Sequence, residues 1–414
     1  MSRMPALHLF EGYGVELEYI IVDSSSLDPL PVSDRVLRSR AGRFVNEVAN
    51  GSAGWSNEFV LHVMEIKNNS PSPSLSGLDV MFQEQIIHIN RLLEEFEGRL
   101  MPSGMHPWMD PAKETKFWNH RNRRIYEAYD RIFGCKSHGW ANIQSAHLNL
   151  SFHGDEEFGT LHAAIRLLLP LIPALAASSP IVEGRVTRIM DNRLIFYRTN
   201  QLLIPSVTGD VIPEAIFSRR EYEKEILQKM YGDVTRYDSK GVLRHEWLNS
   251  RGVVPRFKRN AMEVRLADSQ ECPLADTAIA AAISSVIESL IHCRWSDRDE
   301  QAAWPVTPLA ALLDGTIRSG EAAVIRNSRY LKALGYPETA ATAADVWRHL
   351  LAESVAAGGM ADKKLRKAVQ FILDRGTLSS RILKSLGKNP SHQRQREVYQ
   401  RLCECLAGGR LFGG

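Results

Sequence analysis

"GVELEYIIVD", residues 14–23, decides how this chain of 414 residues is read. Val15, Leu17 and Tyr19 alternate with Glu16 and Glu18. In an extended chain alternate residues share a face, so the apolar set points one way and both carboxylates the other. Two like charges side by side repel unless water or a cation neutralises them. The strand therefore has either an ordinary solvated face or an ion-binding one, and the rest of the chain must decide.

The same alternation recurs in "FVLHVMEIK" (59–67), "AHLNLSF" (146–152) and "AMEVRLAD" (261–268), each near turn residues. In each run an apolar set faces one way. Opposite it stand Glu65 and Lys67, then His147, Asn149 and Ser151, then Glu263, Arg265 and Ala267. Helical stretches separate these runs. "LDVMFQEQIIHINRLLEEFEGRL" (78–100) carries an apolar stripe at three- and four-residue spacing. "PLADTAIAAAISSVIESLIHC" (273–293) carries another, with Pro273 near its start and Asp276 as the expected N-cap. Strands and helices interleave irregularly, which predicts an α+β fold with a mainly antiparallel sheet and helices outside it. Residues 316–414 show helical patterns and no convincing strand. The expected division is a sheet-bearing region over 1–300 and a helical C-terminal region over 301–414.

Composition narrows the function. The chain is 44% hydrophobic and 24% charged, as soluble globular proteins are. Its 51 basic and 48 acidic residues leave a net charge of +3, with no basic block interleaved with aromatics, so nucleic acid is not an expected partner. "MSRMPALHLFEGYG" at the N-terminus lacks the apolar core of a signal peptide. "LLLPLIPALAA" (167–177) is too short to span a bilayer and reads as a buried helix or helix pair. The five cysteines form no CxxC pair and no disulfide framework, which fits reduced thiols in a cytoplasm.

If the four runs share one sheet, its polar face gathers at least four glutamates and a histidine. Hard cations such as Mg²⁺ or Mn²⁺ take oxygen ligands with an occasional imidazole, and such ions would in turn hold nucleotide phosphates. The chain has no GxxxxGK[ST] loop, no HExxH and no nucleophile elbow. Nucleotide phosphates would therefore be held through metal-bearing carboxylates rather than by a glycine loop.

These residues carry a family likeness. The sequence resembles the type 2 glutamate–cysteine ligases, carboxylate–amine ligases related in fold to glutamine synthetase. "GVELEYIIVD" is similar to the family's opening Gly-x-Glu-x-Glu strand, and "HVMEIKNNSPSP" to its second acidic strand. "PSGMHPW" (102–108) resembles a Gly-x-His-Pro segment, where His106 reads as a turn former. "SAHLNLSF" matches the His-centred strand, "LAASSPIVEGRVTRIMDNR" the Ser-Pro stretch leading to an arginine, and "AMEVRLAD" the closing Glu-x-Arg strand. The likeness covers roughly residues 8–293 in the family's order.

The resemblance implies a catalytic funnel on an antiparallel sheet, with ATP at one end and the acid substrate at the other. It implies Glu16, Glu18, Glu58, Glu65, His147 and Glu263 as ligands of Mg²⁺ or Mn²⁺. Arg265 and Arg193 would neutralise phosphate or acyl phosphate, and Arg265 and Asn149 would contact the nucleotide. Glu58 lies seven residues before Glu65, an odd separation that needs a bulge or a strand start between them. Many relatives have His-x-His where this chain has His147-Leu148-Asn149. Two readings of Asn149 stay open: a metal held more loosely, or a substrate contact. The implied activity is ATP-dependent amide formation between an amino-acid carboxylate, glutamate, and an amine such as that of cysteine. A nucleotide-binding regulatory protein and a phosphotransferase on the same scaffold are the alternatives. Analogy suggests a homodimer.

Overall fold

The computed structural model describes residues 6–414. The first five residues of the N-terminal stretch read above lie outside the described residues. The fold is built on a sheet whose centre is β1 (Tyr13–Asp23). β2 (Glu47–Asn50), β3 (Ala53–Asn57), β4 (Val63–Asn68), β5 (Gly98–Met101) and β6 (Ser145–Ser151) join it. Two-residue strands β7 (Ile181–Val182) and β8 (Arg185–Val186) form a separate ribbon. β9 (Val253–Arg256) and β10 (Ala261–Asp268) complete the main sheet. Its order is β2-β3-β4-β1-β6-β10-β9, with β5 paired to the second half of β1, and every pairing is antiparallel. The α+β architecture and antiparallel sheet expected from the sequence are what the chain adopts.

The greasy face of the sheet, with Leu17, Tyr19, Met64, Ile66, Leu150 and Met262, is wholly buried. Helix Pro273–Ile291 packs beneath it, in contact with helices Leu78–Leu93 and Gly154–Leu168. Among the described residues it is the one helix long and apolar enough to cross a membrane, and it lies almost entirely inside the core. Side chains from beyond residue 305, among them Leu309, Trp347, Ile372 and Leu406, join the same core. We therefore propose the division near residue 300 as a change of architecture, from sheet to helices, within one continuous interior. Ribbon β11 (Val324–Ile325) and β12 (Ala341–Thr342) interrupts the helices there, which the helical patterns did not foretell.

The other face of β1 is split along its length. Glu16 and Glu18 occupy its first half, whereas Ile20 and Val22 are buried against Leu378, Ile382, Val398, Tyr399 and Leu402 of the C-terminal helices. The C-terminal helices thus cap one half of this face and leave the acidic half for chemistry. Cys403 is buried in that contact, and burial pushes its thiol up to about 12, so it is an inert packing residue.

Three expectations are corrected. Helix 78–100 ends at Leu93 and a short 3-10 turn, because Glu97 turns left-handed and Gly98–Met101 pairs with β1 instead. Run 59–67 is strand only from Val63, and its first residues form the β3–β4 connection. Asp276 is also not the N-cap of its helix. That place belongs to Cys272, and the buried Asp276 carboxylate accepts from Tyr19 Oη at 2.7 Å and the Gln270 amide at 2.8 Å.

Burial raises Asp276 to about 7, against the lowering effect of its two hydrogen bonds. The folded chain therefore holds this proton over a pH range where the unfolded chain has released it. Its contribution to stability is present below pH 4 and is lost as pH rises towards 7. Asp276→Asn should gain stability relative to the parent by about 2 kcal/mol more at pH 8 than at pH 5. Urea midpoints at the two pH values check this, and a pH-independent difference would contradict it.

Candidate active site

Strand register brings the acidic residues together. Glu18 lies directly opposite Glu65 across β1 and β4, Glu16 opposite His147 across β1 and β6, and Glu263 opposite Asn149 across β10 and β6. All of them share the face opposite the core. Glu58 follows the last residue of β3, in the connection to β4, so a strand end rather than a bulge resolves its odd spacing from Glu65.

Glu18, Glu58 and Glu65 each offer an oxygen within 4.8 Å of the others. Glu18 and Glu65 are buried and Glu58 is half-buried. Like charges opposite one another in a ladder destabilise it. The tension falls on Glu58: burial, then Glu18, Glu65 and Glu16, push its carboxyl well above the ordinary range. Lys67 Nζ, 3.2 Å from Glu65, offsets part of the charge. Three oxygen donors converging with one cation at the edge fit a hard divalent ion, which would replace the proton that Glu58 otherwise takes up.

Glu16 and His147 border this trio. His147 Nδ1 lies 3.2 Å from Glu16, and its Nε2 lies 2.9 Å from Ser145 Oγ and 3.9 Å from Glu18. Burial works against protonation of His147, but the Glu16 hydrogen bond and the Glu18 charge prevail and raise it. The Ser145 amide and hydroxyl both donate to Glu18, at 2.7 and 3.0 Å. Asn149 Nδ2 donates to Glu16 at 3.2 Å.

Glu263 sits in a different setting. Arg256 grips both of its oxygens, at 2.7 and 2.9 Å, and Arg265 Nε lies 3.1 Å away. Burial opposes its ionisation, yet the two guanidinium groups hold its carboxyl well below the usual range. It belongs to a carboxylate–guanidinium group beside the trio rather than to the trio itself.

One residue escaped the sequence reading. Strict alternation puts Asp268 on the greasy face and Ala267 on the polar one. The pairing of β10 with β6 slips by one residue between Val264 and Ala267. This bulge exchanges the two, and Asp268 comes to pair with Ser145 on the functional face. Asp268 is fully buried and bonds the Arg193 Nε, the Ser178 amide at 2.8 Å and Ser179 Oγ at 2.8 Å. The remaining nitrogens of Arg193 face the Arg265 carbonyl, at 3.4 and 3.5 Å.

Two of the short motifs acquire reasons here. Gly104 has room for no side chain, because a Cβ would lie 2.4 Å from Asp268 Cγ. His106 shapes the next turn, accepting at Nδ1 from the amides of Trp108 and Met109, while its Nε2 lies 2.8 Å from the Leu27 carbonyl. The signal for Asp268 was in the sequence: a carboxylate in apolar phase at a strand end, three residues after Arg265.

Glu18, Glu58, His147, Arg193 and Arg265 line one cavity of about 390 Å³. Helix Arg123–Phe133 contributes Tyr126 and Tyr129 to its lining, and segment 247–250 contributes Trp247 and Ser250.

Comparison with known proteins agrees with this architecture. The family model for glutamate–cysteine ligase family 2 matches residues 13–405. An uncharacterized protein of Archaeoglobus fulgidus is 37% identical over 402 residues, covering 96% of this chain and 99% of its own. A Corynebacterium efficiens protein with the provisional name glutamate–cysteine ligase 2-1 is 24% identical over 297 residues, 70% of this chain and 68% of its own. A crystal structure of glutamate–cysteine ligase from Francisella tularensis, in complex with AMP, superposes with a TM-score of 0.60 at 13% identity. It covers 95% of this chain and 88% of that one, and it shows the shared glutamine synthetase-like fold. Sheet, acidic face and guanidinium groups define a carboxylate–amine ligase. The chain belongs to glutamate–cysteine ligase family 2.

Two variants test the geometry. Glu58→Gln puts a neutral group beside Glu18 and Glu65 with no proton to be taken up on folding, so the metal-free chain should melt higher while the rise in Tm on adding Mn²⁺ shrinks or disappears. An undiminished Mn²⁺ effect would remove Glu58 from the ion site. Gly104→Ala should displace Asp268 and cost on the order of 2 kcal/mol by overpacking a buried ion pair, measured by urea denaturation.

Proposed function

We propose that this protein is an ATP-dependent carboxylate–amine ligase that joins an amino-acid carboxylate, glutamate in the first instance, to an amine. The observation that carries the reading is the convergence of Glu18, Glu58 and Glu65 beside a cavity that Glu18, Glu58 and Arg265 line. We assign Glu18, Glu58 and Glu65 as the main holders of Mg²⁺ or Mn²⁺, with Glu16 and His147 beside them and Glu263 supporting through the arginines. A bound divalent ion would supply charge neutralisation to the phosphate oxygens during transfer.

The reaction needs little covalent chemistry from the protein. A carboxylate oxygen of the acid attacks the γ-phosphorus of ATP, and the bond to the β–γ bridging oxygen breaks, so ADP leaves with the electron pair. The amine nitrogen then attacks the acyl carbon. The carbon–oxygen bond to phosphate breaks, phosphate departs, and the nitrogen loses its proton. No enzyme nucleophile is required.

The side chains of this site suit those demands. Arg265 remains cationic: burial opposes its charge, but Tyr197 and then Glu263 hold its guanidinium above the usual value. Facing the cavity, it offers a planar donor fork to phosphate oxygens. Arg193 also lines the cavity, but Asp268 takes its Nε. We read it as steadying the β10 bulge, and with it Arg265. Asn149 presents its amide towards Glu16 and orients that carboxylate. Tyr126 and Tyr129 of helix Arg123–Phe133 would help keep water from an acyl phosphate, which would otherwise hydrolyse.

ADP release measured with MgATP, glutamate and a panel of amines tests the proposal. It should require both acid and amine and yield one amide per ADP. Glu16→Gln and Arg265→Lys should each lower kcat by about 100-fold or more while the chain stays folded by circular dichroism. Release of ADP without an amide product, or unchanged turnover in both variants, would contradict the proposal.

A further inference from the structure

The charged side chains of the lining are Glu18, Glu58, His147, Arg193 and Arg265. The rest is mainly a wall of rings, Phe59, Tyr126, Tyr129, Trp140 and Trp247, while Tyr197 Oη lies 3.5 Å from Arg265. The wall is continuous, with ring centroids 5.0 Å apart for Phe59–Tyr126, 5.0 Å for Tyr129–Trp140 and 5.7 Å for Tyr129–Trp247. Ile125 and Ile143 fill in between the rings. The remaining polar groups of the lining are neutral amides and hydroxyls, from Asn122, Ser145, Asn200, Gln201 and Ser250. Among the residues lining the cavity, each carboxylate and guanidinium stands on the sheet or on the β3–β4 connection, apart from Arg193, which Asp268 engages.

A zwitterionic α-amino acid such as cysteine brings a second carboxylate besides its reacting nitrogen. Withdrawn from water, that carboxylate needs a counter-charge or several donors. Helix Arg123–Phe133, Trp140 and segment 247–250, which bear most of the wall, place no cation in the lining. An uncharged hydrocarbon body suits the wall, since each 100 Å² of apolar surface buried there stabilises binding, and edge-to-face contacts between rings add to this. A cavity of about 390 Å³ has room for a substituted ring beside the reacting atoms. Phe59 follows Glu58 in the chain, and Asn57, on its other side, donates to Tyr126 Oη at 2.9 Å. Ring faces next to a carboxylate attract an ammonium and disfavour a further carboxylate, so the substrate with the apolar body is the amine.

We infer that the acceptor of this ligase is a primary amine carrying an uncharged, ring-sized apolar body, seated on the wall of Tyr129, Trp140 and Trp247 with its nitrogen towards the carboxylates. This inference rests on the ligase reading and adds the acceptor class to it. The new bond joins the nitrogen of this amine to the acyl carbon, and phosphate leaves as described above.

The full chain, supplied with MgATP and glutamate, is assayed with 2-phenylethylamine and with cysteine. The value of kcat/KM should be at least about tenfold higher for 2-phenylethylamine, the discrimination expected of an apolar pocket. Binding of 2-phenylethylamine to the unreacted protein should give a saturable change in tryptophan fluorescence. Trp247→Ala should weaken that binding about tenfold or more, while Trp247→Phe, which keeps a ring, should largely restore it. Equal or better use of cysteine, or no binding of 2-phenylethylamine, overturns the inference. Calorimetric titration with MgATP is run alongside: absent nucleotide binding counts against the ligase reading itself, whereas MgATP binding without the aromatic amine counts against the acceptor class alone.

Discussion

Repulsion among Glu18, Glu58 and Glu65 is the constraint on which the rest of the structure turns. A ladder that sets Glu18 opposite Glu65 and brings Glu58 against both concentrates negative charge where water is scarce. A fold selected for stability alone would place apolar or oppositely charged pairs there. Among the described residues one lysine, Lys67, approaches the trio, and it also serves Glu47. The arrangement is costly in the metal-free chain and would become favourable if a divalent ion shared the oxygens. On the proposed reading, binding energy for the ion would be built in as relieved repulsion.

The surroundings hold this unfavourable group in place. On one side, the apolar half of β1 is clamped by the C-terminal helices through Ile20 and Val22. On the other, the bulge in β10 turns Asp268 inward, where Gly104, Ser178, Ser179 and Arg193 converge on it. A second buried pair, Arg381 with Glu271, ties the helix Leu378–Leu386 to the segment just after β10. Both pairs are nearly inaccessible to water. Breaking a buried pair is expensive, so these contacts fix the end of β10, and with it Arg265, to one geometry.

Much of this was legible in the sequence, because period-two alternation writes the two faces of a strand directly. Glu16, Glu18, Glu65, His147 and Glu263 fall on one face since each strand keeps its phase up to the site. What alternation could not supply was the pairing partner of each strand, hence which carboxylates meet. It left open whether Glu263, an ion ligand by the family resemblance, meets the trio; Arg256, on the neighbouring β9, engages it. It also failed where the phase breaks: the β10 bulge hid Asp268, and the loop position of Glu58 was open until β3 ended at Asn57. The ring wall was illegible for another reason. Phe59, Tyr126, Trp140 and Trp247 come from separate segments and meet only in three dimensions, so no local pattern announces a binding surface. Asp276 misled because a capping residue and a buried carboxylate look alike at the start of a helix.

The central claim is that the three carboxylates hold a divalent ion. It is tested most directly by crystals of this protein soaked in Mn²⁺ and measured for anomalous scattering. The account predicts an anomalous peak between the oxygens of Glu18, Glu58 and Glu65. A structure with no peak there, or with Mn²⁺ bound only elsewhere on the chain, would contradict it.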